Sequence, residues 1–359
     1  MRILGIFDKF NAIFVVCIVC IIPFAVPQEA DLPLADVSQS QKNNNPTEIK
    51  NTIIYEGLEL VYAAKYEEAV KHFRKLNEID PESAEGIFFE AFVLELIMDI
   101  YRSQAFDDSL NIVVEKAISR GKKALKKNPS ARNYMFLGGA YGVRGVRKGI
   151  LGSWLGAAIN GRKANSYFEK AIELDSTLYD CYFGIGTYHY WKTKKLKRFF
   201  GFFIPDHREK GINELYMSIE KGIFAKTPGR MTLFRIYLEE KRYDDVFTLA
   251  DIVLNENPDH IFPRWYLGIA LISTQQWEKA LDNYKIILDF LPKIEFHGPE
   301  ALIEAWYYQA LSYYNLGQNQ KAKELLEKIP PYKDKVNQNF FYYDDYIKES
   351  KKLLKKLSR

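Results

Sequence analysis

Between residues 264 and 292, in RWYLGIALISTQQWEKALDNYKIILDFLP, apolar positions recur every third or fourth residue in two blocks, parted by the polar stretch STQQ. That spacing puts one apolar stripe on each of two helices. The first block carries Trp265, Leu267, Gly268 and Leu271, and the second carries Ala280, Tyr284 and Ile287. Pro292 ends the second block, since proline lacks the N–H that would continue a helix. A small residue in each block, Gly268 and Ala280, lets two backbones approach closely, while the bulky residues fill the space between pairs. The pattern predicts a helical hairpin.

The same pattern returns along the chain. YEGLELVYAAKYEEAVKHFRKLNEIDP sets Gly57, Tyr66, Ala69, Phe73 and Pro81 in equivalent places. KANSYFEKAIELDS gives Ala164, Phe168 and Ala171, with Ser176 in place of the closing proline. YFGIGTYHYW supplies a first helix with Gly186. RYDDVFTLADIVLNENP and NQKAKELLEKIP supply second helices, the former with Val246 where the small alanine belongs. Pro258 and Pro292 stand 34 residues apart. This pattern resembles the tetratricopeptide repeat, whose period is about 34 residues. The resemblance implies an all-α fold: a right-handed α-α superhelix of about seven helical pairs over residues 50–330, each touching mainly its neighbours. Residues 331–359, which include DDYIKESKKLLKKLSR, then read as a C-terminal capping helix.

Pairs two to four break the period. Their ends fall near Pro81, Pro129, Ser176 and Ile223, at spacings of 48, 47 and 47. Aligning the small residues puts each excess between the two helices of its pair, at MDIYRSQAFDDSLN, VRKGILGSWLGAAIN and TKKLKRFFGFFIPDH. Insertions at one point of successive repeats emerge on one edge of the stack. The stretch from YGVRGVRKGILGSWLGAAINGRKA through DCYFGIGTYHYW to DHREKGINELYMSIEKG is further similar to exported bacterial tetratricopeptide proteins. It is more distantly similar to the mitochondrial outer-membrane IML2-like and TTC39-like proteins. That similarity implies an envelope or membrane-associated setting and no reaction.

The N-terminus is a separate object. Arg2 and Lys9 precede an apolar run from Ala12 to Val26, followed by Pro27 and Ala30. Fifteen apolar positions suit a secretory signal better than a span, which needs about 20. Residues 1–30 therefore read as a signal peptide, cleaved or kept as an anchor, and 31–49 as a flexible polar linker containing SQSQKNNNP. The expected location is outside the cytoplasm, in the periplasm or cell envelope. Removal of the signal would leave Cys181 as the only cysteine, so packing rather than disulfides must hold the fold.

With 50 Lys and Arg against 46 Asp and Glu, net charge favours neither nucleic acid nor membrane, so distribution decides. No acid occurs from Lys116 to Phe168, nor from Cys181 to Pro205. The basic-aromatic edge so defined comprises Arg144, Arg147, Lys148, Arg162, Lys163, Lys194, Lys195, Lys197 and Arg198, with Phe199, Phe200, Phe202 and Phe203. Clustered cations concentrate anions, and interleaved rings add the apolar part of interfacial binding. Such an edge suits an anionic membrane, a polysaccharide or an acidic protein; equally, its rings could pack the inserts together beneath a solvated fringe.

Helical register lines a concave peptide groove with Phe88, Phe92, Phe183, Tyr190, Trp265, Ile269, Tyr307, Leu311 and Tyr314. Such a groove would grip an extended or helical apolar peptide; the same side chains serve equally as core between neighbours. The Lys and Asn clamp of the chaperone-binding members is missing. Nucleic acid is not an expected partner of an exported chain. The five histidines lack paired metal spacing, and GVRGVRKG and GGAYGVRG lack the strand-to-helix setting and terminal Lys-Ser/Thr of a phosphate loop. No catalytic residue, metal or cofactor is therefore expected. The reading is a non-catalytic envelope scaffold with a protein or peptide partner; the alternatives are a peripheral membrane-binding factor and an accessory subunit of an envelope enzyme or transporter.

Overall fold

The computed structural model describes residues 45–63, 65–200, 205–294, 296–336 and 343–358; the side chains of 198–200, 343 and 344 fall outside that description. Among the described residues there are fifteen α-helices and no strand. Seven pairs succeed one another. They are α1 (Pro46–Tyr62) with α2 (Tyr66–Ile79), α3 (Glu85–Ile100) with α4 (Asp107–Lys127), α5 (Ala131–Ile150) with α6 (Trp154–Leu174), and α7 (Cys181–Phe200) with α8 (Arg208–Lys221). Then come α9 (Lys226–Glu239) with α10 (Tyr243–Glu256), α11 (Phe262–Ser273) with α12 (Trp277–Phe290), and α13 (Pro299–Asn315) with α14 (Asn319–Leu326). A final helix, α15 (Tyr343–Leu357), packs on α13 and α14. The expected signal peptide lies outside the described residues. Helix α1 begins inside the segment expected as linker, because Asn45 caps it by accepting from the Thr47 amide and Pro46 occupies the first turn.

The hairpin register follows the small residues. A Cβ built on Gly57 would lie 2.5 Å from the Phe73 ring, one on Gly138 3.1 Å from Phe168, and one on Gly268 2.6 Å from Tyr284. In three pairs, then, a glycine of the first helix sits beneath the aromatic ring of the second. In the fourth pair, Gly186 and Gly211 bring the two backbones together directly.

The spacing located the three inserts and left their form open. They are largely helix. Helices α5 and α6 have 20 and 21 residues, against 12 and 14 in α11 and α12. At about 1.5 Å per residue, each gains roughly 10 Å. Only three residues, 151–153, join them, with Gly152 at φ +74. Within GGAYGVRGVRKG, glycines allow close approach: Gly138 and Gly145 face α6 along its length. Helix α4 has 21 residues and α7 has 20. Adjacent extended ends touch, since Arg147 of α5 pairs with Asp107 of α4 and Lys195 of α7 lies over the Trp154 ring of α6 at 6.0 Å.

Contacts are not confined to neighbouring pairs. The end of α3 and the residues just after it reach into the C-terminal half. Trp265 Nε1 donates to the Ile100 carbonyl at 3.0 Å, and the Gly298 amide donates to the Tyr101 carbonyl at 3.1 Å. Arg102 pairs with Glu304 at 3.4 Å, Gln104 donates to Glu300 at 3.0 Å, and Arg235 pairs with Asp99. Tyr101 stacks on Phe290, and Phe296 packs against Tyr66 and Phe106. The stack curls back on itself, with the corner after α3 as the plug.

Candidate functional site

The concave positions come first. Six of the nine expected groove residues, Phe88, Tyr190, Trp265, Ile269, Tyr307 and Leu311, are buried, while Phe92, Phe183 and Tyr314 are half-buried against the core. Phe88 packs on Phe92 and Phe136, and Gly139 lies against its ring. The Tyr190 hydroxyl donates to Glu240 at 2.6 Å. Trp265 meets the α3 corner, and Tyr307 meets Tyr346 of α15. These side chains are brought together as core, and the apolar lining of an open channel is not available from them. The Ile100 carbonyl and Arg102, at the corner after α3, cover Trp265.

The basic edge divides in two. Some of its cations are committed to carboxylates: Arg144 to Glu115 at 2.6 Å, Arg147 to Asp107, Lys194 to Glu240 at 2.9 Å, and Lys197 to Asp206 at 2.8 Å. Paired hydrogen bonds from Arg208, with Lys197, hold the Asp206 carboxyl well below the usual carboxylate range. Lys195 lies between the rings of Trp154 and Trp191. Lys148, Arg162 and Lys163 are exposed. The side chains of Arg198, Phe199 and Phe200, and all of Phe202 and Phe203, lie outside the described residues.

A tighter cluster emerges between α4 and α6, above α5. Lys122 of α4, Arg144 of α5 and Lys163 of α6 stand 6.0, 4.9 and 5.3 Å from the ring centroid of Tyr141. Cations favour the negative face of an aromatic ring. The ring is buried and stacks on Tyr167 at 5.6 Å. Arg144 is fixed further by donating to Asn160 at 2.8 Å. Lys116, Lys123 and Lys126 extend the exposed positive face along α4, and Arg162 along α6. Nearer the joined ends of these helices stand exposed apolar side chains: Ile112 at 56%, Leu155 at 57% and Ile159 at 48%. A cleft of about 90 Å³ opens beside them, lined by Leu110, Glu115, Arg144, Arg147, Lys148 and Leu151.

Sequence reasoning placed Lys122 in an acid-free run but missed its convergence with Lys163 on one ring. It missed the exposed apolar residues altogether, although Leu155 and Ile159, at helical spacing before Arg162, were the available signal. A second overlooked group is the inner charge cluster at the α3 corner. Burial pushes the Glu95 carboxyl up to about 7, with Asp99 and Asp107 adding to the rise and Arg147 and Arg235 opposing it. Its Oε2 is buried without a hydrogen-bond partner. Cys181 is buried, and burial pushes its thiol up, away from the reactive thiolate form.

These features define an all-α protein of stacked helical hairpins with a filled inner face and a cationic outer one. Residues 304–330, spanning most of α13 and all of α14, match the tetratricopeptide repeat family model. Among solved structures it is similar to the C-terminal part of a TPR repeat-containing protein from Cytophaga hutchinsonii. That pair shares 17% identity over 80% of this chain and 98% of the other, with a TM-score of 0.39. It is also similar to yeast Tom70, at 14% identity over 87% and 92% of the two chains and a TM-score of 0.40. For pilF of Pseudomonas aeruginosa the identity is 14% over 85% and 99%, with a TM-score of 0.30. No curated protein matches the chain.

Proposed function

We propose that this protein is an exported, non-catalytic scaffold of the cell envelope that holds protein partners on its outer faces. The observation that carries this reading is the filled concave side: Trp265 and Tyr307, where a groove would bind peptide, are covered by the corner after α3 and by α15. Exposed side chains for a partner are found instead on the second helices of the extended pairs. The apolar run from Ala12 to Val26 supports export.

Photo-crosslinking in the native envelope tests the scaffold. A crosslinker at Asn213, on the exposed face of α8, should capture a discrete protein, whereas one at Leu311, within the core, should capture none. Equal capture from both sites, or none from several outer positions, would overturn the reading. A fusion of residues 1–35 to a reporter active only outside the cytoplasm tests export separately. A silent fusion, with the protein in the soluble cytoplasm, would reject it.

A further inference from the structure

We infer that the outer face of α4 and α6 docks on an anionic phospholipid bilayer, with Leu155 and Ile159 entering the interface and the cations around Tyr141 meeting lipid phosphates. The inference rests on the proposed use of outer faces, and it names one occupant for this one.

Two independent observations converge. Lys122, Arg144 and Lys163 crowd one tyrosine ring, with Glu115 the carboxylate paired to Arg144 among them. Three positive charges against one negative leave a local excess that an oxyanion would offset. Leu155 and Ile159 are large, apolar and about half exposed, on the helix that carries Lys163. Scattered surface hydrophobics need no explanation, but a grouped set beside a cationic cluster marks a candidate interaction site.

The spacing selects the occupant. Leu155 and Ile159 precede Lys163 by eight and four residues, about 12 and 6 Å along the helix axis. An interfacial element buries its apolar side roughly 5–10 Å into the headgroup and acyl boundary. With α4 and α6 tilted so that their N-terminal ends enter first, apolar residues at that depth would leave Lys163 and Lys122 at the level of the phosphates. An acidic protein would need no such depth relation. Asp108, exposed in the first turn of α4 and one turn from Ile112, is an opposing charge at the entering end.

The test uses the full chain with vesicles of phosphatidylcholine alone or with about one-third phosphatidylglycerol. Co-sedimentation measures affinity, and hydrogen–deuterium exchange locates the contact, so that any contribution of the N-terminal apolar run is seen apart. Phosphatidylglycerol should raise retention, weakened by salt, and protect 154–166 and 112–126. Each cation near an anionic surface is worth roughly fivefold in binding. Lys122→Gln with Lys163→Gln should therefore lower affinity on the order of 20-fold, with a shallower salt dependence. Leu155→Ser with Ile159→Ser should lower affinity while keeping the salt slope, and Asp108→Asn should raise it. These side chains are exposed, so melting temperatures should stay near wild type. Equal retention on both vesicles, or retention without protection on α6, would sink the inference. Protection of these helices by soluble polyglutamate but not by anionic vesicles would assign the face to an acidic protein instead. Neither result would touch the crosslinking outcome at Asn213 of α8.

Discussion

Glu95 shows what one residue contributes when a helix repeat curls on itself. It lies on α3, and the groups that act on its charge come from several elements: Arg147 of α5, Arg235 of α9, Asp107 of α4 and Asp99 one turn along α3. Its folded-state value of about 7 stands above the ordinary 4.5, so the folded protein holds that proton more tightly than the unfolded chain does. The stability this supplies is full below about 4.5, falls as pH rises, and is gone above about 7. Burial lowers the His260 value, which works in the opposite sense as pH falls. A variant comparison separates the two. Glu95→Gln cannot ionise, so its melting temperature minus that of wild type should increase from pH 5 to pH 8. A difference that stays constant would show that Glu95 remains ionised throughout. The residue was hidden in the sequence because FVLELIMDI reads as one apolar face, and only the return of α9 reveals which side of α3 is inner. Lys122 and Lys163 were likewise visible as charges but not as neighbours, being 41 positions apart.

At the scale of elements, small residues told most of what the sequence had to tell. Gly57, Gly138 and Gly268 each lie under an aromatic ring of the second helix of their pair, because a hairpin repeat fixes local register within some 30 residues. The extra residues of pairs two to four were located by the spacing, which left their helical form open. Glycine-rich text such as GGAYGVRGVRKG suggests turns when propensity alone is weighed. Here close approach to α6 outweighs that penalty. Two glycines of α5 separate the effects. A Cβ on Gly145 would come within 3.3 Å of Asn160 and 3.4 Å of the Gly161 nitrogen, whereas one on Gly142 would meet nothing within 4 Å. Gly145→Leu should overpack the hairpin and cost about 1–3 kcal/mol. Gly142→Ala should stabilise by about 0.5–1 kcal/mol, since it limits the unfolded chain and meets no obstacle in the folded one. Denaturant midpoints of the two variants give both values. The same sign for both would refute the α5–α6 seam.

Across the whole molecule, contacts run mainly between neighbours, but the corner after α3 adds long-range ones, and folding cooperativity should show it. In a one-dimensional array each repeat is stabilised by its own packing and by the next repeat, so damage at one end frays that end. Here Phe296, Gly298, Glu300 and Glu304, from just before and within α13, contact Tyr66, Tyr101, Gln104 and Arg102, about 200 positions away. Removal of one partner leaves the other's polar groups buried or newly wet, at about 1–3 kcal/mol for each lost buried hydrogen bond. Truncation after residue 294 therefore reaches the second pair directly. Amide exchange should speed up in α3 near Leu96–Ile100 and at the start of α2, as well as in α12, while α6 and α8, which make none of these contacts, should change less. A companion substitution needs no truncation. Trp265→Phe keeps an aromatic ring but deletes the donor to the Ile100 carbonyl. It should deprotect the end of α3 in the same places and to a smaller degree. Exchange that rises only in α12 after truncation, with α3 untouched in both variants, would mean that the C-terminal pairs do not hold the corner and that the stack behaves as an ordinary open array.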